Sequence, residues 1–160
     1  MLENILIQHA TLSDMAAMLE WRGNSNAMQQ AITRDFTMVS TGKNTIFLAM
    51  LEQELIGTIQ IMREHTDDDM IRQAVYLEAL EVHKDYRQRG IAQKLCQEVE
   101  QQTRLEGISR VTVSVEPTNT PSLNLFLKRG FRQFKESSFE WDGKQFPVVC
   151  LEKIINSEFI

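Results

Sequence analysis

The sequence predicts an α/β fold, a single domain over residues 1–160 with a central mixed β-sheet flanked by helices. Three observations carry this. Apolar and alternating runs of strand length recur along the chain, and helix-period segments separate the later ones. One of those helices joins Ala74–Val82 to the alternating stretch Val111–Glu116, and a strand–helix–strand unit places its strands parallel with a right-handed crossover. Finally, 160 residues without an internal repeat, a low-complexity tract or a linker suit one core.

The elements follow in order. Residues 5–9 (ILIQH) read as a first strand. Thr11-Leu-Ser-Asp14 matches a capping box, and Met15, Met18 and Leu19 continue at helical spacing, giving a helix from about Ser13 to Arg22. Residues 23–44 are polar, with a short helix expected through Ala27–Ile32. Thr45–Leu51 and Leu55–Met62 are apolar runs separated by Glu-Gln-Glu, a hairpin whose turn lacks glycine. Gly57 inside the second run indicates a bulge or a close backbone approach. Ala74–Val82 is apolar on both faces and is expected to be central. The next helix buries Ile91, Ala92, Leu95, Cys96 and Val99 and stops at Gly107. After the Val111–Glu116 strand, Thr120-Pro121 caps a helix, with proline at its first turn, that buries Leu123, Phe126 and Leu127 and ends at Gly130. Phe131–Trp141 and Gln145–Lys153 form a last strand pair around Asp142-Gly143, an edge at which a second copy could pair as a homodimer.

Charge and composition narrow the function. A net charge of −5 argues against a general nucleic-acid binder, which needs a basic face. No apolar run approaches the roughly 20 residues that span a bilayer. The N-terminal MLENILIQHA lacks a basic segment followed by a long apolar run, so the expected location is the cytoplasm. Cys96 and Cys150 are far apart, lack metal-ligand spacing, and read as buried small hydrophobes. His65 beside Asp67, Asp68 and Asp69 reads as a solvated loop, so no metal site is expected.

One stretch demands a ligand. VHKDYRQRGIAQKL ends a strand and opens a helix with two arginines and a glycine. Helix N-termini carry partial positive charge, so cations there are unfavourable until an anion arrives. A glycine-containing loop between a strand and a helix converges backbone N–H groups, and Gly90 permits close approach. The expected partner is a phosphate or pyrophosphate, with charge added by Arg87 and Arg89. A helix start with two solvated arginines is the plainer alternative. GxxxxGK[ST] and GxGxxG are absent.

The stretch LEVHKDYRQRGIAQKLCQEV resembles the acetyl-CoA-binding motif of the GCN5-related N-acetyltransferases, the GNAT superfamily. VEPTNTPSLNLFLKRGF resembles the second CoA segment of that family, at a matching separation. The resemblance implies that the amides of Gln88, Arg89, Gly90, Ile91, Ala92 and Gln93 hold pyrophosphate, with Arg87 opening the motif. It implies that Leu80, Glu81 and Val82 offer backbone groups to the pantetheine arm, a form of strand addition, and that Asn119 contacts the cofactor. The implied reaction transfers acetyl from acetyl-CoA to an amine acceptor, which must lose a proton before or during attack.

Glu78 and Glu81 are the candidate bases. By strict alternation Glu78 shares a face with Tyr76, Leu80 and Val82, and Glu81 shares the other with Val75, Leu77 and Ala79; a bulge would change which one faces the acceptor. Glu116 is a third choice. One glutamate could instead pair with an arginine on a neighbouring element. The N–H of Val82 is the candidate oxyanion donor. Phe126 stands where many relatives carry the tyrosine that protonates the thiolate, and phenylalanine donates no proton. Ser122 and Tyr76 are possible substitutes. An acyl-CoA-binding module without efficient transfer is therefore the alternative. The acceptor, a small molecule or a protein amine, depends on loops 22–44, 64–72 and 138–146.

Overall fold

A computed structural model describes residues 4–23, 25–63 and 74–155. Seven strands, β1 (Ile5–His9), β2 (Asn44–Leu51), β3 (Glu54–Met62), β4 (Ala74–Val82), β5 (Arg110–Val115), β6 (Arg132–Trp141) and β7 (Lys144–Ile154), form one mixed sheet in the order β1-β2-β3-β4-β5-β7-β6, as expected. The chain divides into two compact units, one within residues 1–64 and 79–99 and the other within 65–78 and 100–160.

In the first unit, β1 (Ile5–His9), β2 (Asn44–Leu51) and β3 (Glu54–Met62) form an antiparallel ladder. The glycine-free turn between β2 and β3 closes because Glu52 and Gln53 both take positive φ, 49° and 71°. That is the twist a two-residue hairpin needs, usually supplied by Asn-Gly. The expected irregularity at Gly57 is present: Ala49 faces Gly57 while Met50 faces Leu55, so Ile56 is the extra residue of a bulge.

The first expected helix is a 3-10 turn, Leu12–Asp14, followed by α1 (Met15–Arg22). Its capping residues behave as the motif indicates, with the Thr11 N–H donating to Asp14 Oδ2 at 2.8 Å. The second helix was underread. It is α2, Asn26–Ser40, not a short segment at 27–32. Ser25 caps it by accepting the Met28 N–H at 3.1 Å. Its apolar stripe is Met28, Ile32, Phe36 and Val39, packed with Met18 of α1 on Ile46 and Leu48 of β2. Four apolar residues scattered among polar ones are enough, because tertiary burial rather than propensity holds such a helix. Fully burying Phe36 alone is worth about 1.5–3 kcal/mol. On this face a polar chain is also buried: Asn44 Nδ2 donates to Gln60 Oε1, and Gln60 Nε2 donates to Asp35 Oδ2, each at 3.1 Å. Burial pushes the Asp35 carboxyl above the usual aspartate range, against the opposing pull of Gln60 and the guanidinium groups of Arg34 and Arg22.

In the second unit, the first half of β4 (Ala74–Val82) pairs parallel with β5 (Arg110–Val115), from Ala74–Arg110 to Leu77–Val113. β7 (Lys144–Ile154) lies antiparallel between β5 and β6 (Arg132–Trp141). The α4 helix is Thr120–Lys128, and its cap is Asn119 rather than Thr120: the Asn119 side chain accepts the Ser122 N–H at 3.3 Å. Glu100, on the α3 helix (Ile91–Leu105), is buried and holds this unit together. It accepts from Arg129 Nε at 2.9 Å and Lys153 Nζ at 2.7 Å, joining α3 to the end of α4 and to β7. Cys96 and Cys150 are free and buried, as expected.

Candidate functional site

The site begins where β4 stops being a regular strand. Ala79 has φ 59°, a left-handed conformation that alanine adopts at a cost of roughly 1–2 kcal/mol. This breaks the strict alternation assumed from the sequence. Glu78 therefore cannot be assigned to the face of Leu80 and Val82 by counting, which corrects that expectation. Alanine leaves no sign of such a conformation, whereas glycine would have done so.

Beyond Ala79, backbone direction follows from one hydrogen bond. The His83 N–H donates to the Ile56 carbonyl of β3 at 2.8 Å. Alternate residues of a strand direct their backbone groups to opposite edges. Val82 and Leu80 consequently direct their N–H and C=O groups to the edge away from β3. The Val82 carbonyl accepts from Arg87 Nε at 3.0 Å. One of the two arginines is thus tied to the strand that precedes the loop.

The loop is shaped by alternating handedness. Arg87 is extended, Gln88 has φ 62° and Gly90 has φ 83°, while Arg89 between them is outside the left-handed region. Alternation of handedness is the backbone pattern that turns successive N–H groups toward one side, as in anion-binding concavities. The loop leads directly into the N-terminus of α3 at Ile91, where further amides and the helix dipole favour the same charge. Gln88 is a residue that sequence reasoning counted only for its amide; its conformation is half of the device.

Gly57 fixes the height of this assembly. A Cβ there would lie 3.3 Å from the Glu81 carbonyl oxygen, from Ile91 Cγ2 and from Leu95 Cδ1. The bare backbone of β3 thus seats both the end of β4 and the first turn of α3. The Ile91 and Leu95 side chains are buried, so only the Ile91 amide is a candidate ligand group.

The two candidate bases differ. Glu81 is half-exposed and its Oε2 lies 3.1 Å from Arg22 Nη1, at the end of α1. The contact is ionic without hydrogen-bond alignment. This is the pairing with a neighbouring arginine that the sequence left open. Glu78 is half-buried and belongs to the second unit. Asn119 and Phe126 also belong to that unit. Capping assigns Asn119 Oδ1 to the α4 N-terminus, leaving the role of donor to its Nδ2. Phe126 is buried, 1% exposed, and packs edge-to-face on Phe131 with ring centres 5.1 Å apart.

Leu80–Val82 and residues 87–93 are brought together within the first unit. His65 and Asp67–Asp69 lie outside the described residues. Among the described residues no group of three or more His, Cys, Asp or Glu side chains could hold a metal ion. No described helix is long and apolar enough to cross a membrane.

Comparisons with known proteins bear on this geometry. No curated protein matches the chain. Among solved structures, Arabidopsis thaliana NAA60 in complex with a bisubstrate analogue is similar at 23% identity and TM-score 0.77, covering 95% of this chain and 98% of that one. A ribosomal-protein-alanine N-acetyltransferase from Brucella melitensis is similar at 20% identity and TM-score 0.74, covering 93% and 99%. The putative acetyltransferase yncA from Salmonella typhimurium, solved with acetyl-CoA, is similar at 15% identity and TM-score 0.75, covering 96% and 95%. At these identities the likeness is one of fold. The family model "Acetyltransferase (GNAT) family" matches residues 12–131, a span that includes α1, the bulged β3, the irregular β4, the left-handed loop and α4. With most of the chain matched and the expected architecture present, the protein belongs to the GNAT acetyltransferase family.

Proposed function

We propose that this chain transfers the acetyl group of acetyl-CoA to a primary amine of a small molecule or a protein. The observation that carries the reading is the alternating Gln88–Gly90 loop at the start of α3, which follows, after the 3-10 turn Lys84–Tyr86, a strand whose outer edge directs backbone groups away from β3. In this reading the amides of residues 88–93 hold the pyrophosphate. Leu80 and Val82 receive the pantetheine arm along the strand edge, and Asn119 Nδ2 donates to the cofactor.

The amine nitrogen attacks the thioester carbonyl, a C–N bond forms and the C–S bond breaks. The Val82 N–H stabilises the developing oxyanion. The ammonium proton leaves to Glu78, with Glu81, which lies beside Arg22, as the alternative base. The thiolate takes its proton from solvent, since Phe126 has none to give. The structural neighbours solved with acetyl-CoA and with a bisubstrate analogue support the choice of co-substrate and of direct transfer.

Thiol release from acetyl-CoA, followed across a panel of amines and N-terminal peptides, tests the reading. Amine-dependent release supports it. A second reading, CoA binding without turnover, rests on the Phe126 ring packed against Phe131. Tight acetyl-CoA binding with no release across the panel would select that reading instead.

A further inference from the structure

Arg22 and Glu81 meet on the face of the first unit along which an acceptor reaches Val82. Gly57 stands opposite Ala49 of β2, and a Cβ at Gly57 would meet Ile91 and Leu95, so α3 covers that face of the ladder. Ile46 and Leu48 point the other way from Ala49 and carry α1 and α2 on the opposite face. Arg22 ends α1, so the Glu81 carboxylate that it meets at 3.1 Å lies on the α1 face, one residue from Val82. With α3 closing its own face, the route of an amine to a thioester at the Val82 edge runs along the α1 face.

The pair has the properties of one that exchanges. The Glu81 side chain is 44% exposed and that of Arg22 only 18%, so the carboxylate is the half that an incoming cation meets first. Arg22 Nη1 is buried and makes no hydrogen bond, so it holds Glu81 by charge alone. A charge pair without hydrogen bonds is the weaker kind, and a half-exposed one contributes little. The guanidinium also has a second carboxylate within electrostatic reach. Asp35 of α2 is held on Oδ2 by Gln60 Nε2 at 3.1 Å, whereas its Oδ1 is buried without a hydrogen bond and Arg34 Nη2 stands 3.6 Å from it. Arg22 already opposes the effect of burial on the Asp35 carboxyl. A guanidinium between two carboxylates gives up one of them without being left as an unpaired buried charge, which would be costly.

We propose that Arg22 is a displaceable counter-ion: it holds the Glu81 carboxylate until the ammonium group of the acceptor replaces it there, and the guanidinium then turns to Asp35. Glu81 thereby selects a cationic amine, and Arg22 is a specificity-determining residue with which the acceptor competes. The assignment rests on the amine-transfer reading above. No covalent bond forms or breaks in the exchange; proton loss and attack follow it as described there.

Two measurements on the full chain test the assignment, one with turnover and one without. With saturating acetyl-CoA and the most active primary amine of the panel, Arg22→Gln should lower KM by about two- to fivefold and leave kcat near wild type, because a competitor is gone. Asp35→Asn should raise KM by a similar factor, since the guanidinium loses its second partner, and should change nothing in the Arg22→Gln background. An Arg22 that merely orients Glu81 would give a raised KM or a lowered kcat on removal, and that result overturns the assignment. The second measurement follows the Arg22 Nε–Hε signal by NMR, identified by its loss in Arg22→Gln, as methylammonium chloride or tetramethylammonium chloride is added. Tetramethylammonium has the charge but no N–H to donate. Methylammonium alone should move the signal saturably, and the response should vanish in Glu81→Gln. Equal responses to the two salts, or a methylammonium response that persists in Glu81→Gln, overturns the assignment. Displacement of Arg22 by methylammonium without turnover of any amine would count against the transfer reading alone.

Discussion

The turns at Glu52–Gln53 and at Gln88–Gly90 both place a non-glycine residue in the left-handed region, and they use that strain differently. At Glu52–Gln53 the positive φ values, 49° and 71°, close the hairpin between β2 and β3, and the flanking Leu51 and Glu54 pair in the ladder. At Gln88 and Gly90, φ 62° and 83°, the chain leaves a strand and turns its amides toward one side at a helix start. The first turn spends conformational energy on topology, where any residue that tolerates positive φ would serve. The second, on the reading proposed above, aims donors at an anion. Strain in itself does not mark function; what the strained amides point toward does.

Substitutions at these places should separate the two uses. Gly90→Val removes the left-handed conformation at the loop. CoA affinity should fall by more than about a hundredfold, while far-ultraviolet circular dichroism keeps its native shape. Glu78→Gln should lower turnover by roughly 10²-fold or more at neutral pH with little change in CoA affinity, as expected of a general base; if Glu81→Gln gives the larger loss, the base is Glu81. Gly57→Val forces a side chain into the 3.3 Å contacts with the Glu81 carbonyl, Ile91 and Leu95. It should destabilise by about 1–3 kcal/mol and weaken CoA binding too, because it shifts the seat of the loop. Denaturant melts and titrations on the same variant would show both.

The hairpin turn should behave in the opposite manner. Replacing Glu52-Gln53 with Asn-Gly should stabilise by about 1 kcal/mol and leave CoA affinity unchanged. The smallest effect is expected at Asp35. Its folded-state pKa lies above the unfolded one, so the native state holds more protons in the window between them, and wild-type stability is lost as pH rises through it. Asp35→Asn keeps an acceptor for Gln60 and should therefore gain on the wild type as pH rises through that window, in paired melts.

Much of this was legible in the chain itself. Ile5–His9 and Ala74–Val82 fall where alternation and apolar runs place them, because a strand buried on a sheet needs that pattern. RQRGIA pointed to a phosphate ligand through its glycine and its misplaced charge, an expectation carried into the function proposed above. What stayed hidden involved residues without a local signature. Ala79 and Gln88 are not glycine, yet both are left-handed. Arg22 reaches Glu81 across 59 positions of sequence, and α2 is held by packing on β2 rather than by its own propensity. Arg87 meets the Val82 carbonyl and Arg89 the Tyr86 ring, contacts that only the folded chain brings about.

Thermal unfolding with and without acetyl-CoA tests the central claim most directly, that the Gln88–Gly90 loop and the start of α3 form a CoA site. A ligand at about 100 times its dissociation constant adds about 2.7 kcal/mol when it binds only the native state. The wild type should melt at a clearly higher temperature with acetyl-CoA than with AMP, and Gly90→Val should lose the difference. An unshifted transition at millimolar acetyl-CoA would contradict the claim.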